Sequence, residues 1–462
     1  MSTAGLVLRP PVAAPAARAA EVAADGGTWP HTRRLLPWSI AAFVTMLWML
    51  PFSAISLPIT LPMDAKLDRP MIAAIGGLWL ATLAVGSKAI RPRLRFGRIH
   101  AAIAIFFVIA VASVLLNAST LANLTELGLG VKKLVLLISY LFFFVVAASV
   151  IRPEEVRPFT RFSLWLAAIV SVTTVLEYRA GFNPYYSISS IALPGLVAVP
   201  DDLGSIDYSG RLTIYGAMDH PLELALMLAL ILPLAIVQVL NATEKRDRWM
   251  KLALAGLIIA GIFSTQRKSG LIGTGVSVLF LLAYRRPPLK QLLGMLVGLL
   301  LLLHLVAPGT LGGLRQQLAP QHLTKTNSTA QRANDYDGVA PDIRHHPSLG
   351  RGYGTYDGLK YRILDNQYLG LLVTVGFVGT AAYLVMLLSG VTAVHPFARG
   401  KRAGPVPPSV LLALAAGVLS FVVGSALFDV LSFPHVTYEM FFVLALIHAG
   451  TQPPPPTAEP PG

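Results

Sequence analysis

Long apolar runs recur along the chain from residue 38 to residue 450, and short polar stretches separate most of them. Hydrophobic residues make up 54% of the 462 positions, and charged residues only 13%. An α-helix needs about 20 apolar residues to cross the hydrocarbon core of a bilayer. The sequence therefore predicts an all-α polytopic membrane protein with about twelve transmembrane helices.

The pattern also predicts the domain organisation. Residues 1–36 are rich in Ala and Pro and are expected to form a disordered cytoplasmic tail, residues 37–450 form the transmembrane domain, and residues 451–462 form a Pro-rich cytoplasmic tail. The predicted spans lie near residues 38–60, 71–87, 99–116, 131–151, 162–180, 219–240, 249–264, 268–284, 289–306, 366–394, 408–429 and 433–450.

The distribution of positive charge predicts the orientation in the membrane. More than half of the 37 Lys and Arg lie in the amino-terminal segment and in alternate loops, and short loops rich in these residues face the cytoplasm. Both termini are therefore predicted to be cytoplasmic, and the loops 178–218 and 307–364 extracytoplasmic. The net charge of +14 follows the loops, so it does not indicate nucleic-acid binding.

The segment 307–364 is the longest polar interruption between apolar runs, and it is where a charged substrate would find room. Its arginines, with Arg267 and Lys268 in the short turn 264–270, would form a cationic pocket for a phosphate or pyrophosphate on a lipid. Two plainer interpretations stay open. A loop of this length needs solvating charges, and Arg267 and Lys268 could extend toward lipid headgroups. The lack of cysteine excludes disulfides and thiolate sites.

Further polar residues flank the predicted spans. Glu177 ends the fifth span and His220 begins the sixth, so both could line the same cavity or lie in interfacial loops. Asp429, His435 and Glu439 cluster between the last two spans, where a structural polar network is expected.

Four motifs carry a resemblance to the bacterial O-antigen ligase and polymerase family over roughly residues 210–390. The first three are an Asp-His-Pro element at 219–221, a Thr-Gln-Arg-Lys turn at 265–268, and an Arg at 332 followed by His-Pro-Ser-Leu-Gly at 346–350. The fourth is Asp365-Asn366 followed at the family's spacing by Gly376. Family ligases carry a histidine where this chain has Asp365, which favours a glycan polymerase or a transferase with another acceptor.

The resemblance implies a C-type glycosyltransferase-like bundle in the inner or plasma membrane, capped by the long extracytoplasmic loop. It implies an inverting, metal-independent transfer of a glycan from an undecaprenyl-pyrophosphate-type lipid to a hydroxyl of a glycan or lipid acceptor. No cofactor or metal is expected, and membrane lipids are expected partners. The predicted catalytic residues are Asp365, Arg267 and Arg332, and the predicted substrate-binding residues are Lys268, Arg344, His346, Arg351, Tyr353, Asn366, His220 and Glu177.

The alternative function is a twelve-span transporter or lipid-linked oligosaccharide flippase. Its main support is the basic segment 91–98, whose cations the predicted orientation already explains. No six-plus-six repeat is visible, and the long loop follows the ninth predicted span.

Overall fold

The computed structural model describes residues 27–56, 66–87, 90–206, 212–285 and 327–452, and the regular structure in these ranges is helical. The extended pairings there are isolated bridges, such as that between Ile55 and Val197. The all-α prediction is confirmed for the described residues. In chain order the α-helices are α1 (Leu35–Met49), α2 (Asp68–Val85), α3 (Arg98–Leu116), α4 (Ala118–Asn123), α5 (Leu127–Val150), α6 (Val156–Ala180), α7 (Pro184–Ala192), α8 (Pro221–Asn241), α9 (Lys245–Ser264), α10 (Lys268–Arg285), α11 (Asn327–His345), α12 (Gln367–Ala398), α13 (Pro408–Gly424) and α14 (Pro434–Gly450).

Among the described residues, six helical segments are long and apolar enough to cross a membrane: α2, α3, α5, α8, α12 and Pro153–Ala180, which includes α6. α1 and α13 are apolar but shorter. α9, α10 and α14 are helical where the sequence predicts spans, but their crossing of the membrane stays a prediction. The predicted span at 289–306 lies outside the described residues.

α8 lies at the centre of the bundle because its sequence is apolar on all sides, and such a helix is stable only when it is surrounded. In the most apolar 18-residue stretch of α8, 83% of the residues are buried, whereas in that of α2 only 28% are buried. Outer helices instead expose apolar side chains, including Trp165 and Val108. An outer surface of this kind suits contact with lipid.

Small residues allow neighbouring helices to approach α8 closely. A Cβ added at Gly417 of α13 would lie 2.2 Å from the carbonyl oxygen of Leu230, and one added at Gly270 of α10 would lie 2.8 Å from the Cβ of Ala225. Hydrocarbon around the protein does not drive apolar helices together, so close backbone packing is a main source of their association.

The amino-terminal boundary is earlier than the sequence predicts. Trp29 is buried and stacks on Phe159 with ring centroids 4.3 Å apart. Arg34 forms a buried ion pair with Glu155. Residues 27–36 therefore belong to the folded part of the chain, because an aromatic contact and an ion pair hold them there without an apolar run.

The segment 307–364 is not a loop throughout. It contains α11, whose Val339 packs with Leu364, Leu369 and Val373 in a small apolar cluster beside α12. The sequence analysis missed this helix because it is polar and contains Pro341, so it lacks the apolar periodicity by which helices are predicted.

Candidate functional site

Arg267 lies in a tight turn that joins α9 to α10 at one end of the bundle. Gln266 before it has a φ of 52°, a left-handed conformation that lets the chain reverse within three residues. The Thr265 hydroxyl donates to the carbonyl of Ile262 at 2.7 Å, and Thr265 is fully buried. The half-buried Arg267 is therefore held on a rigid support rather than on a long loop.

The turn that precedes α8 faces Arg267 and carries His220 and Tyr215. The pKa of His220 is lowered to about 4, first because the ring is buried and second because the positive charge of Arg267 lies nearby. His220 Nδ1 accepts a hydrogen bond from the Leu222 amide at 3.1 Å and so caps α8. At neutral pH His220 is therefore uncharged, and its proton is on Nε2.

Glu177 fixes the backbone of this same turn. Its carboxylate accepts hydrogen bonds from the amides of Tyr215 at 3.0 Å and Gly216 at 2.9 Å, and the side chain is buried at the end of α6. The Tyr215 hydroxyl donates to Asp202 Oδ1 at 2.7 Å. Glu177 therefore holds the residues that stand beside Arg267, whereas its predicted contact with substrate stays a prediction.

Asp365 and Asn366 lie where α12 begins, at the same end of the bundle. Asn366 is the helix cap, because its Oδ1 accepts from the amides of Tyr368 at 3.0 Å and Leu369 at 3.2 Å. Its Nδ2 donates to the hydroxyl of Tyr336 on α11 at 3.2 Å. Asp365, the residue before the cap, is exposed.

A second carboxylate, Asp429, neighbours Asp365. Burial raises the pKa of Asp429, and the negative charge of Asp365 adds to this rise, whereas Ser432 and Lys133 oppose it. Gln367 holds the two together, since its amide donates to the Ser425 carbonyl at 2.8 Å and its Oε1 accepts from the Leu431 amide at 2.9 Å. The sequence placed Asp429 in a polar network but did not pair it with Asp365.

The glycine-rich turn at 347–352 is inserted into a break in α12. Gly376 has φ 65° and ψ −168°, which opens the helix, and the turn supplies the hydrogen bonds that the open helix has lost. A Cβ on Gly376 would lie 2.4 Å from the carbonyl carbon of Ser348, so only glycine fits. The four replacement bonds are Arg351 N to Val373 O at 3.0 Å, Gly352 N to Thr374 O at 3.0 Å, Phe377 N to Pro347 O at 2.8 Å and Val378 N to Ser348 O at 3.1 Å.

Arg351 is paired within the protein. It contacts Glu126 at 2.6 Å and the Tyr361 hydroxyl at 2.8 Å, and its guanidinium lies 4.5 Å from the Tyr361 ring centroid. Lys360 also reaches Glu126, at 2.7 Å. Burial alone would raise the pKa of Glu126, but the hydrogen bonds from Lys360 and Tyr361 and the charge of Arg351 outweigh it and lower the pKa.

The Glu126 cluster, made of Glu126, Arg351, Lys360 and Tyr361, was not predicted. Glu126 is the acidic residue just before α5, in a short polar connection, and that position was the available signal. Its carboxylate joins the α4–α5 connection to the segment that follows α11, so it is a second attachment of this segment besides the one at Gly376.

The other predicted residues have varied surroundings. Tyr353 is buried against Phe106 at a ring-centroid distance of 6.2 Å, which indicates packing. Arg344 and His346 are exposed near the end of α11, and Lys268 is half-buried at the start of α10. The backbone of Arg332 is helical within α11, and its side chain lies outside the described residues.

Within the described ranges, one group has the composition and geometry to hold a metal ion. Ligand atoms of Asp219, Glu223 and His435 all lie within 4.8 Å of one another. His435 Nε2 lies 3.2 Å from the Leu50 carbonyl, which leaves Nδ1 directed at Glu223, 3.3 Å away. An ion pair between protonated His435 and the carboxylates fits these distances as well as a metal does.

Part of the chain resembles a known protein family. Residues 253–384 match the family model described as O-antigen ligase. A search of curated proteins found no match. The matched segment includes the Arg267 turn, α11, the 347–352 turn, Asp365 and the Gly376 break. This match shows that the segment 253–384 is similar to the O-antigen ligase family.

Proposed function

We propose that the protein is a membrane glycosyltransferase that moves or polymerises a glycan from an undecaprenyl-pyrophosphate-type lipid. The acceptor is a hydroxyl of a glycan or lipid, and transfer occurs on the extracytoplasmic face of the inner or plasma membrane. The observation that carries the proposal is the position of Arg267 and Asp365 in the family-matched segment. Both residues lie at the same end of the bundle, one in a rigid turn and one at a helix start.

Arg267 and Arg332 bind the diphosphate of the donor in this proposal. Negative charge grows on the diphosphate oxygen as its bond to the anomeric carbon breaks, so the guanidinium groups stabilise the transition state more than the ground state. His220 supports this role because it stays neutral beside Arg267 and can donate from Nε2. Lys268, Arg344 and His346 are the further donors proposed for the substrate.

Asp365 accepts the proton of the acceptor hydroxyl as that oxygen bonds to the anomeric carbon. The electron pair of the broken bond leaves with the diphosphate, and attack from the opposite face inverts the anomeric carbon. Asp429 supports this assignment, because two neighbouring carboxylates repel each other and one proton on the pair relieves the repulsion. The proton then passes to solvent from the exposed Asp365.

The proposed transfer needs no metal, because the arginines neutralise the diphosphate. The test is activity after treatment with a chelator. Unchanged transfer supports the proposal. Loss of transfer that added divalent ions restore would contradict it, and the Asp219, Glu223 and His435 group would then be the place to seek the ion.

The proposal is tested by transfer in proteoliposomes from a purified lipid-diphosphate glycan. Arg267→Ala is expected to lower the rate by about a hundredfold or more, since a lost transition-state donor costs on this scale. Arg285→Ala is the matched control, because Arg285 ends α10, the helix that follows Arg267, at the opposite end of the bundle. Full activity of Arg267→Ala in correctly inserted protein would overturn the assignment.

The role of Asp365 is tested in the same assay with several acceptors. Asp365→Ala is expected to lose transfer, and Asp365→His is expected to recover part of it, because histidine can also accept a proton. If Asp365→Ala keeps the wild-type rate, Asp365 is not the base. Movement of the lipid-linked glycan across the bilayer without transfer would favour the flippase alternative.

A further inference from the structure

A cleft that is partly open to solvent lies at the end of the bundle opposite the candidate site. Its position follows from α14, which begins beside the candidate site and ends beside the cleft, about 25 Å away by the rise of an α-helix. We call it the basic cleft after the five arginines that line it, which are Arg34, Arg91, Arg93, Arg95 and Arg152.

The basic cleft has an excess of positive charge. Among the described residues, arginines outnumber carboxylates there, since Glu154 is the acidic residue in the wall and Glu155 is buried next to it. Glu155 is already engaged by the protein, since it pairs with Arg34 and accepts the amide hydrogens of Trp29 and Arg152, each at 2.9 Å. An anion that enters the cleft therefore meets a local positive potential.

Three of the arginines belong to the segment Arg91-Pro92-Arg93-Leu94-Arg95, which connects α2 to α3 without helical structure. The side chains of all three arginines line the same cleft. The Arg93 amide donates to the Ser149 carbonyl at 2.8 Å and fixes the segment over the end of α5. A general bias of positive charge toward one face explains the number of arginines but not their convergence on one cleft.

Apolar side chains of the same segment are exposed next to the cleft. Leu94 is 47% exposed, and Phe96, which directly follows the segment, is 78% exposed. An amphiphilic ligand would fit this arrangement, because its charged group can reach the arginines while its chains lie on apolar surface. Inorganic phosphate would contact only the arginines and would leave the apolar surface uncovered.

We propose that the basic cleft binds the phosphate group of an anionic phospholipid. The planar guanidinium groups of Arg91, Arg93 and Arg95 match the paired oxygens of a phosphate, and the acyl chains lie against Leu94 and Phe96. The site is separate from the proposed transfer site and does not depend on that function.

The test uses the purified full-length protein in neutral detergent, titrated with phosphatidylglycerol, phosphatidylcholine or inorganic phosphate. Binding is followed as a concentration-dependent rise in melting temperature, since a ligand that binds the folded state stabilises it. Phosphatidylglycerol is expected to raise the melting temperature well below the concentrations at which the other two act. An equal effect of inorganic phosphate would overturn the assignment to a lipid, and an equal effect of phosphatidylcholine would overturn the role of charge.

Variants locate the site. Combined Arg91→Ala, Arg93→Ala and Arg95→Ala is expected to weaken binding by about tenfold or more, because charge-assisted hydrogen bonds are lost. Replacing the same three arginines by lysine keeps the charge but removes the planar donors, and binding is expected to weaken here too. Arg98→Ala is the control, since Arg98 does not line the cleft. Full binding by the lysine variant, or equal weakening by Arg98→Ala, would overturn the proposed site.

Discussion

Single residues at the candidate site differ in what their polar atoms contact. Glu177 and Asn366 hold backbone amides, and Arg351 pairs with Glu126, so these three shape the site through the protein itself. Arg267 changes the pKa of His220, and Asp365 changes that of Asp429, so the charges of these two residues act on groups at the same end of the bundle. The first three are therefore expected to affect folding, and the last two to affect transfer.

The lowered pKa of His220 predicts a stability change with pH. The unfolded chain protonates this residue near its ordinary pKa of 6.5, but the folded protein does so only near about 4. Between these values the unfolded state binds more protons, so the contribution of His220 to the free energy of unfolding falls as pH falls through this window. His220→Asn keeps a capping oxygen and is expected to lose less stability over the same range.

The measurement is the melting temperature in detergent at several pH values for wild type and variant. His345→Asn is the control, because His345 is an exposed histidine at the end of α11. The interpretation fails if wild type and His220→Asn lose stability in parallel between about pH 6.5 and about pH 4.

At the scale of elements, the junction between α12 and the 347–352 turn holds the site together. α12 gives up helical hydrogen bonds at Gly376, and the turn replaces them, so neither element is complete without the other. Ser113 of α3 also donates to the Thr374 carbonyl at 2.7 Å, which ties the junction to a third helix. The position of Asp365 at the start of α12 is thereby linked to the position of the loop.

Gly376→Ala is expected to destabilise the protein by about 2–4 kcal/mol, because an alanine would be strained at this φ and its Cβ would contact the turn. The measurement is the melting temperature, together with hydrogen exchange of residues 347–352, which should exchange faster. Gly370→Ala is the matched control in the same helix, since a Cβ there meets no atom within 4 Å. Equal effects of the two substitutions would contradict the proposed junction.

At the scale of the whole molecule, α14 runs between two ends of the bundle that carry different sets of charged side chains. One end combines arginines with exposed and half-buried carboxylates, whereas the other collects arginines in a cleft. The orientation stays a prediction, and in it the candidate site is extracytoplasmic and the basic cleft is cytoplasmic.

The lack of native cysteine makes this orientation directly testable. Leu359 lies at the candidate-site end and is 96% exposed. A cysteine at this position, Leu359→Cys, is therefore expected to react with a membrane-impermeant thiol reagent in intact cells. Arg246→Cys lies at the start of α9, at the opposite end, and should be labelled only after permeabilisation. The reverse pattern would invert the predicted topology.

The sequence by itself determined that the protein is helical and apolar, because the length and hydrophobicity of each run are local properties. It also indicated Arg267, Asp365 and Gly376, because each lies in a short motif that can be recognised in the sequence without knowledge of the fold. Only the tertiary structure paired Asp365 with Asp429 and Arg351 with Glu126, because these partners are far apart in sequence. The same holds for the burial of Trp29 and for the insertion of the 347–352 turn into α12, which depend on contacts that no local pattern encodes.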